Sequence, residues 1–488
     1  MQIEISLEAG DCRTWLSGLA AGLAARGHRP GFRIRPGGGD SRALALLRGF
    51  ERRLYGDSDP FAPLDPGRLP APEGPAEIRL ELSGLPAADR SALHLAVDGE
   101  AGIRHLAPAL LAGRNPHLAI RDGSGIRAAG LPAIEAPDRL LRALPPVLAR
   151  IVTLAGMAFA GMALTDRSCD GGPGSPAEGM PAAGPVSAAG AFGFAAAALG
   201  ARLARRLGLG TPLAEHWRVG IRPRAPRPPF SGENGIEGFR FLPDDGQRYY
   251  ADPILWEQAG RTCLFVEDYP YATGRGVIAY TELDPEGVPL FVPRPILARE
   301  GHLSYPFLFA HAGEIYMIPE NAAEGHLPLY RARIFPEHWE YLGPLIAEPL
   351  HDATLLRHGA AWWILANTTP DGGSSWDCLA LYRAESPLGP FTRQPADPVL
   401  IDARLARSAG PVLEEEDMLV RPVQDCLGGY GRGLRFCAIE RLDEAGFRQR
   451  EIGRIAGPAG RGIAGIHTYA RSARFEAIDA LTPRERPL

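Results

Sequence analysis

Acidic and amide side chains recur at one spacing in the second half of the chain. Four look-alike segments, ADPILW, SYPFLF, HDATLL and AGPVLE, carry Asp252, Tyr305, Asp352 and Gly410 in register, each with a leucine at the same place (Leu255, Leu308, Leu355, Leu413). Each is followed by an apolar run ending in a polar residue, Glu267, Glu320, Asn367 or Gln424, at offsets of 15, 15, 15 and 14 residues. Carboxyl groups gathered in one place are the equipment of general acid–base work, one protonated to donate and one ionised to accept. Amides beside them offer the paired donors and acceptors that hydroxyl groups need. His467 stands in register 57 residues after Gly410, and Trp256, Tyr269, Tyr271, Trp362, Trp363 and Trp376 supply aromatic faces on which sugar CH groups stack. Arg421, Gln424 and Asp425 could grip a carboxylate or phosphate, or Arg421 and Asp425 could pair with each other. His302, His351 and His467 read as satisfied core or rim histidines rather than a metal set.

Other chemistries are excluded by composition. All 52 basic residues are arginine, which removes Walker-type phosphate binding, Schiff-base chemistry and pyridoxal phosphate anchoring. Six scattered cysteines with no CxxC pair give neither a disulfide framework nor a zinc site. A net charge of -5 with 22% charged residues points to no nucleic-acid or anionic-membrane partner. GRGIAG, residues 460 to 465, matches a dinucleotide fingerprint by letter but precedes a strand. The loop PGGGDS before a helix capped by Asp40 or Ser41 reads as an ordinary turn, and EEED from Glu414 as a solvated hairpin tip. No cofactor or metal is expected.

The steps between register residues, 53, 47 and 58, match propeller blades of four strands. VIAYTEL, LPLYRARIF, CLALYRAES and LRFCAIERL are third strands. A fifth segment from Gly465 has too few residues to finish a blade, so HWRVGIRP from His216 and GFRFLP from Gly238 should pair with it and close the ring. The expected architecture is an α/β N-terminal domain, degenerate Rossmann-like, over residues 1–165, a Gly/Pro/Ala-rich linker with a helix over 166–214, and an all-β five-bladed β-propeller over 215–482. Residues 151 to 164 are apolar but too short to span a bilayer, and the N-terminus lacks signal-peptide regions, so no transmembrane segment and a cytoplasmic location are expected.

At these residues the chain resembles the five-bladed propellers of family 43 glycoside hydrolases. HLSYPFLF, GEIYMIPENAA, LYRARIFPEHW, SPLGPF and RPVQDC resemble more closely the N-terminal domain of plant glucosamine inositolphosphorylceramide transferase and its bacterial counterparts, over about residues 215 to 482. The hydrolase pattern implies Asp252 as general base and Asp352 as the carboxylate that tunes the acid. The acid itself would be a Glu directly before Gly-Pro in blade four, where this chain has Ala409. Glu320 or Glu267 would then supply the proton from another wall. In the plant proteins a glycosyltransferase domain follows this module, so the resemblance implies a sugar-related role without assigning transfer to the propeller. The N-terminal part of the bacterial relatives resembles a formyltransferase, but no His-Gly-Ser-Leu-Leu-Pro type stretch occurs in residues 1 to 165. Three functions stay open: an enzyme cleaving or transferring a glycosidic unit of a glycan or glycolipid head group, with substrate contacts from Tyr305, Asn367, Arg421, Gln424, Asp425, His467 and Trp376; a non-catalytic glycan-binding or assembly module; and a nucleotide-sugar transferase using the N-terminal unit.

Overall fold

The computed structural model describes residues 1–84, 92–161, 184, 186–206, 216–226, 230, 235–243, 245–395, 397–415, 417–456 and 462–482. The chain divides into two compact units, Met1–Thr211 with Thr369–Ser374, and Pro212–Thr368 with Ser375–Leu488. Most of the expected linker lies outside the described residues, as do Glu416 of the EEED run, the first residues of GRGIAG and Cys169. The other five cysteines are free and buried.

The first unit is built on strands β1 (Gln2–Glu8), β2 (Arg29–Arg35), β3 (Ile78–Glu81), β4 (Leu93–Val97), β5 (Glu100–Ala101), β6 (Leu118–Asp122) and β7 (Gly125–Gly130). Helices α1 (Trp15–Ala25), α2 (Arg42–Tyr55), α3 (Leu106–Leu111), α4 (Leu140–Phe159) and α5 (Ala188–Arg206) accompany them. The sheet runs β2-β1-β3-β4-β6-β7, with β5 on β4. Pairing is parallel from β2 through β4 and antiparallel from β4 to β7. The sheet is therefore mixed: parallel pairing is limited to β2 through β4, and the expected degenerate Rossmann-like unit is not confirmed. Part of the cause is local: between β6 and β7, Asp122 Oδ1 takes the N–H groups of Ser124 and Gly125 in a tight turn, and so short a connection can only return the chain antiparallel. Ser41, not Asp40, caps α2 by accepting the Leu44 N–H at 3.2 Å, while Asp40 pairs with Arg13 and Arg48. Glu51 of α2 takes the N–H groups of Leu140 and Leu141, capping α4. The apolar stretch is longer than the sequence implied: α4 has 20 residues, enough by length and composition to cross a membrane, yet its side chains are mostly buried as a core helix.

The second unit is the five-bladed propeller. Blade one is Arg248–Gln258, Arg261–Pro270, Val277–Leu283 and Arg294–Leu297; blade two is Ser304–His311, Glu314–Glu320, Leu327–Ile334 and His338–Ile346. Blade three is His351–His358, Ala361–Asn367, Cys378–Ala384 and Thr392–Arg393, with Leu400–Ile401 beside its third strand. Blade four is Leu413–Glu415, Met418–Asp425, Gly433–Asp443 and Gly446–Ala456. Blade five is made from both ends of the unit, Tyr469–Arg471 and Phe475–Leu481 pairing with Trp217–Pro223 and Arg240–Phe241. The ring closes as expected, and the completed fifth blade leaves only the short edges of separate blades. Between successive blades lie five apolar clusters, such as Ile254, Phe265, Leu308 and Met317 between one and two, or Val219, Leu264, Val266 and Ala477 between five and one. A fully buried side chain of this kind contributes roughly 1.5–3 kcal/mol, so inter-blade burial is what fixes the inner strands against one another.

Candidate functional site

The register residues share one backbone device. Asp252, Tyr305 and Asp352 have φ of 50°, 45° and 46°, and each sits in a bulge where pairing with the second strand slips: Ala251/Ile254, Ser304/Phe307 and His351/Thr354. Non-glycine residues held there cost about 1–3 kcal/mol each and persist only where their surroundings fix them. Gly410 takes the place in blade four at φ 124°, where a Cβ would meet the carbonyl oxygen of Tyr469 at 2.0 Å, so glycine is required.

The bulge turns each register N–H toward another blade, where a side chain accepts it, the adjacent blade for Asp252, Tyr305 and Asp352 and blade two, across the hub, for Gly410. Asp252 N–H donates to Asp479 Oδ2 at 3.0 Å, Tyr305 N–H to Asp252 Oδ2 at 3.0 Å, Asp352 N–H to Glu320 Oε2 at 3.0 Å and Gly410 N–H to Tyr305 Oη at 2.9 Å. Thr468 donates its hydroxyl to Asp252 Oδ1, and Gln424 donates to Asp352 Oδ2. Residues more than two hundred positions apart thus meet at the hub, all five blades contributing. Asp252 serves first as the anchor of an inner-strand amide, whereas the Asp352 carboxyl holds the Gln424 side chain and faces Arg407, and both acids are almost fully buried.

Electrostatics divides the hub carboxyls. Glu320 is buried, which alone would raise its pKa, but His351 Nδ1 at 2.8 Å and the Arg407 guanidinium hold it well below the usual glutamate range, as an anion. Glu267 is pushed well above that range by burial and then by the charges of Asp252, Glu320, Asp479 and Asp352. Its Oε1 is buried without a hydrogen bond, 3.3 Å from His302 Nε2. Since His302 Nδ1 accepts the Gly276 N–H at 3.0 Å, the ring proton sits on Nε2, and burial keeps that ring neutral by lowering its pKa. Burial and the Glu320 and Asp252 charges push Asp352 up, although Arg407 Nε lies 2.7 Å from its Oδ2. Asp252 is likewise raised by burial, against the pull of His467. His467 pairs with Asp479 at 2.5 Å; burial disfavours its charge, and Asp479 and Asp252 overcome that.

These directions make one prediction about stability. Glu320 has a lower pKa folded than unfolded, so its charge stabilises the fold above about pH 4.5, the ordinary value, and that contribution is lost as pH falls toward the folded value. Glu320→Gln is expected to lower the melting temperature at neutral pH, with the gap to the parent narrowing as the buffer is acidified below pH 4.5. A gap independent of pH would show that the group is not held as an anion.

Several sequence candidates are at the hub, and others are elsewhere. Tyr305 Oη is tied to Thr354 Oγ1 and Gly410 N–H, Asn367 Oδ1 faces Ser408 N–H, and Trp376 packs on Tyr430 with ring centroids 5.4 Å apart. Tyr269 and Tyr271 join Tyr249 and Trp217 in an aromatic group that continues through Tyr430 to His467 and is half-buried at Tyr269, Tyr271, Tyr430 and Trp376. Trp256, Trp362 and Trp363 instead belong to inter-blade cores. Arg421 is wholly buried and bonded to the carbonyls of Leu405 and Ala406, Ser408 Oγ and Gln449, while Asp425 pairs with Arg435, so the two do not meet. The three histidines each face a different carboxyl, Glu267, Glu320 and Asp479, rather than a common centre. Among the described residues Asp252, His467 and Asp479 have ligand atoms within 4.8 Å of one another, and neighbouring N–H and O–H groups already satisfy both carboxyls. Ala409 lies in an apolar cluster with Phe436 and Tyr469.

Arg407, Tyr430 and Asp479 were not foreseen. Asp479 could have been: it stands 12 residues after His467 in a second strand, continuing the series Glu267, Glu320, Asn367 and Gln424. Arg407, whose guanidinium lies 5.1 Å over the Tyr430 ring, carried no spacing signal.

Residues 244–465 match the family model described as glucosamine inositolphosphorylceramide transferase 1, N-terminal. The chain is 34% identical over 204 residues to glucosamine inositolphosphorylceramide transferase 1 of Oryza sativa subsp. japonica, covering 41% of this chain and 27% of that protein. The protein of the same name from Arabidopsis thaliana is 33% identical over 208 residues, covering 42% and 27%. The chain thus spans about a quarter of the length of these curated relatives, which are plant proteins as expected and lend no support to the expected bacterial kinship. Among solved structures, a thermostable family-43 glycoside hydrolase aligns with TM-score 0.33 and 14% identity, covering 43% of this chain and 77% of that one. The catalytic domain of a GH62 alpha-L-arabinofuranosidase from Coprinopsis cinerea aligns with TM-score 0.38 and 13% identity, covering 57% and 94%. The propeller itself rests on its own sheet topology, and its sequence is similar to the N-terminal region named in the glucosamine inositolphosphorylceramide transferase family.

Proposed function

We propose that the propeller hub is a carbohydrate site acting on a glycosidic bond of a glycan or glycolipid head group, the class to which the plant relatives' name refers. The observation that carries this reading is the unlike setting of two equivalent hub carboxyls: Glu320 lies 2.8 Å from His351 Nδ1 and beside Arg407, which hold it low, while Glu267 sits buried among carboxyls that push it well above the usual glutamate range. Environments that push neighbouring titratable groups apart are how acid and base roles are assigned in enzymes. In this reading Glu267 gives its proton to the leaving oxygen as the glycosidic C–O bond breaks. Asp252 takes a proton from the water or acceptor hydroxyl whose oxygen bonds to the anomeric carbon, so charge balances. Asp352, between Arg407, Gln424 and Glu320, tunes the field, and the half-buried aromatic side chains receive sugar faces.

Asp252→Asn and Asp352→Asn are expected to abolish release of sugar from a panel of aryl glycosides and inositol-phosphate-linked sugars; the folded circular dichroism spectrum should be kept in both, with a lowered melting temperature for Asp352→Asn, whose buried partner Arg407 loses a counter-charge. Unchanged release in either variant removes that residue from the mechanism. Ala409, in its apolar wall where the hydrolase pattern puts the acid, favours the second reading, a non-catalytic glycan-binding module. Calorimetric binding without release over long incubation would select it, and neither binding nor release would reject both.

A further inference from the structure

We propose that α2 and α5 of the first unit form a face that docks on a lipid bilayer carrying anionic head groups. Helix α5 lies on α2 through its small side: Ala191 and Ala198 are buried, Tyr55 of α2 donates its hydroxyl to the Ala198 carbonyl at 3.2 Å, and Arg202 reaches back to the Leu54 carbonyl with its guanidinium 5.1 Å over the Tyr55 ring. That leaves another stripe uncovered. Phe192, Leu199 and Leu203 follow each other at seven and four residues, the spacing of one helix face, and are 76%, 38% and 50% exposed. On α2, Leu46 is 75% exposed, so the two helices hold the two most exposed large apolar side chains among the described residues.

The charges around this stripe name its occupant. Arg42, Arg52, Arg53 and Arg206 are exposed on the two helices, whose single acidic residue, Glu51, is buried and committed to the N–H groups of Leu140 and Leu141. An apolar stripe on two helices whose described residues expose arginine and no acid is complementary to the acyl boundary and negative head groups of a bilayer, with the guanidinium groups reaching to the phosphates. A second copy of the chain fits worse, because a two-fold contact would set arginine against arginine with no exposed acid between them. The overall net charge of -5 gave no hint of this face, since the positive charge is local to two helices.

The test is co-sedimentation of the full chain with vesicles of phosphatidylcholine alone and of phosphatidylcholine with about one-third phosphatidylglycerol, at low and high salt. Partition to the anionic vesicles is expected to exceed that to neutral ones by about tenfold or more and to weaken with salt. F192S/L203S is expected to lose most of this partition and R52Q/R53Q to lose its salt dependence, with unchanged circular dichroism in both. Absence of binding to anionic vesicles, or equal binding by F192S/L203S, overturns the proposal. So does a lipid-free dimer, seen in sedimentation velocity, that F192S/L203S dissolves. No glycan enters this experiment, so its outcome is independent of the hub.

Discussion

Glu267→Gln is expected to lower turnover by about two to four orders of magnitude, the usual contribution of a positioned acid. Glutamine keeps the shape of the side chain beside His302 but has no proton to give. The pH profile separates this from simple damage. Because the folded pKa of Glu267 is raised by burial and by four neighbouring carboxyls, the parent's kcat/KM should fall as pH rises through that value, and the variant's residual rate should lack this alkaline limb. Stability should move the other way. A carboxyl whose folded pKa is raised destabilises the fold as pH climbs above its ordinary 4.5, so the variant should be at least as stable as the parent at alkaline pH. Full activity with an unchanged alkaline limb would show that the proton comes from elsewhere.

Arg407→Met should destabilise the propeller by about 3–5 kcal/mol at neutral pH, measured by urea unfolding. The side chain is 7% exposed and faces two carboxyls, Asp352 at 2.7 Å and Glu320 at 3.9 Å, so removing the cation leaves Asp352 without its cationic partner and Glu320 with His351 alone. Glu320→Gln in the same chain should recover part of the loss, and acidification should shrink it as the carboxyls take up protons. Additive effects of the two substitutions would mean that Arg407 and Glu320 do not interact.

The propeller was legible because a blade is one supersecondary unit repeated. Fixed strand lengths hold the second-strand residues at 14 or 15 positions from the bulge, so Asp252, Glu267, Asp352 and Glu320 could be read as neighbours before any coordinates existed. Closure was legible too, because a fifth blade lacking two strands must recruit them from the other end of the unit. Two expectations and one open alternative did not survive contact with the fold. Alternating helix and strand periodicity says nothing about strand direction, and a short Asp-anchored turn made β6 and β7 antiparallel. Aromatic character does not say which face of a strand is inward, and Trp256, Trp362 and Trp363 went to the walls between blades. Proximity in sequence did not make a pair of Arg421 and Asp425, which point to different partners.

By itself, then, the sequence determined the number of blades and brought Asp252, Glu267, Glu320 and Asp352 together, since both follow from local spacing repeated along the chain, whereas the bulges and the hub place of Asp479 came with the fold. Only the tertiary structure decided which of those acids is charged. Glu267 and Glu320 occupy equivalent strand positions, yet one is surrounded by carboxyls and the other by His351 and Arg407, and Arg407 reaches it from more than eighty residues away. Protonation is set by the summed field of groups that are neighbours only in space.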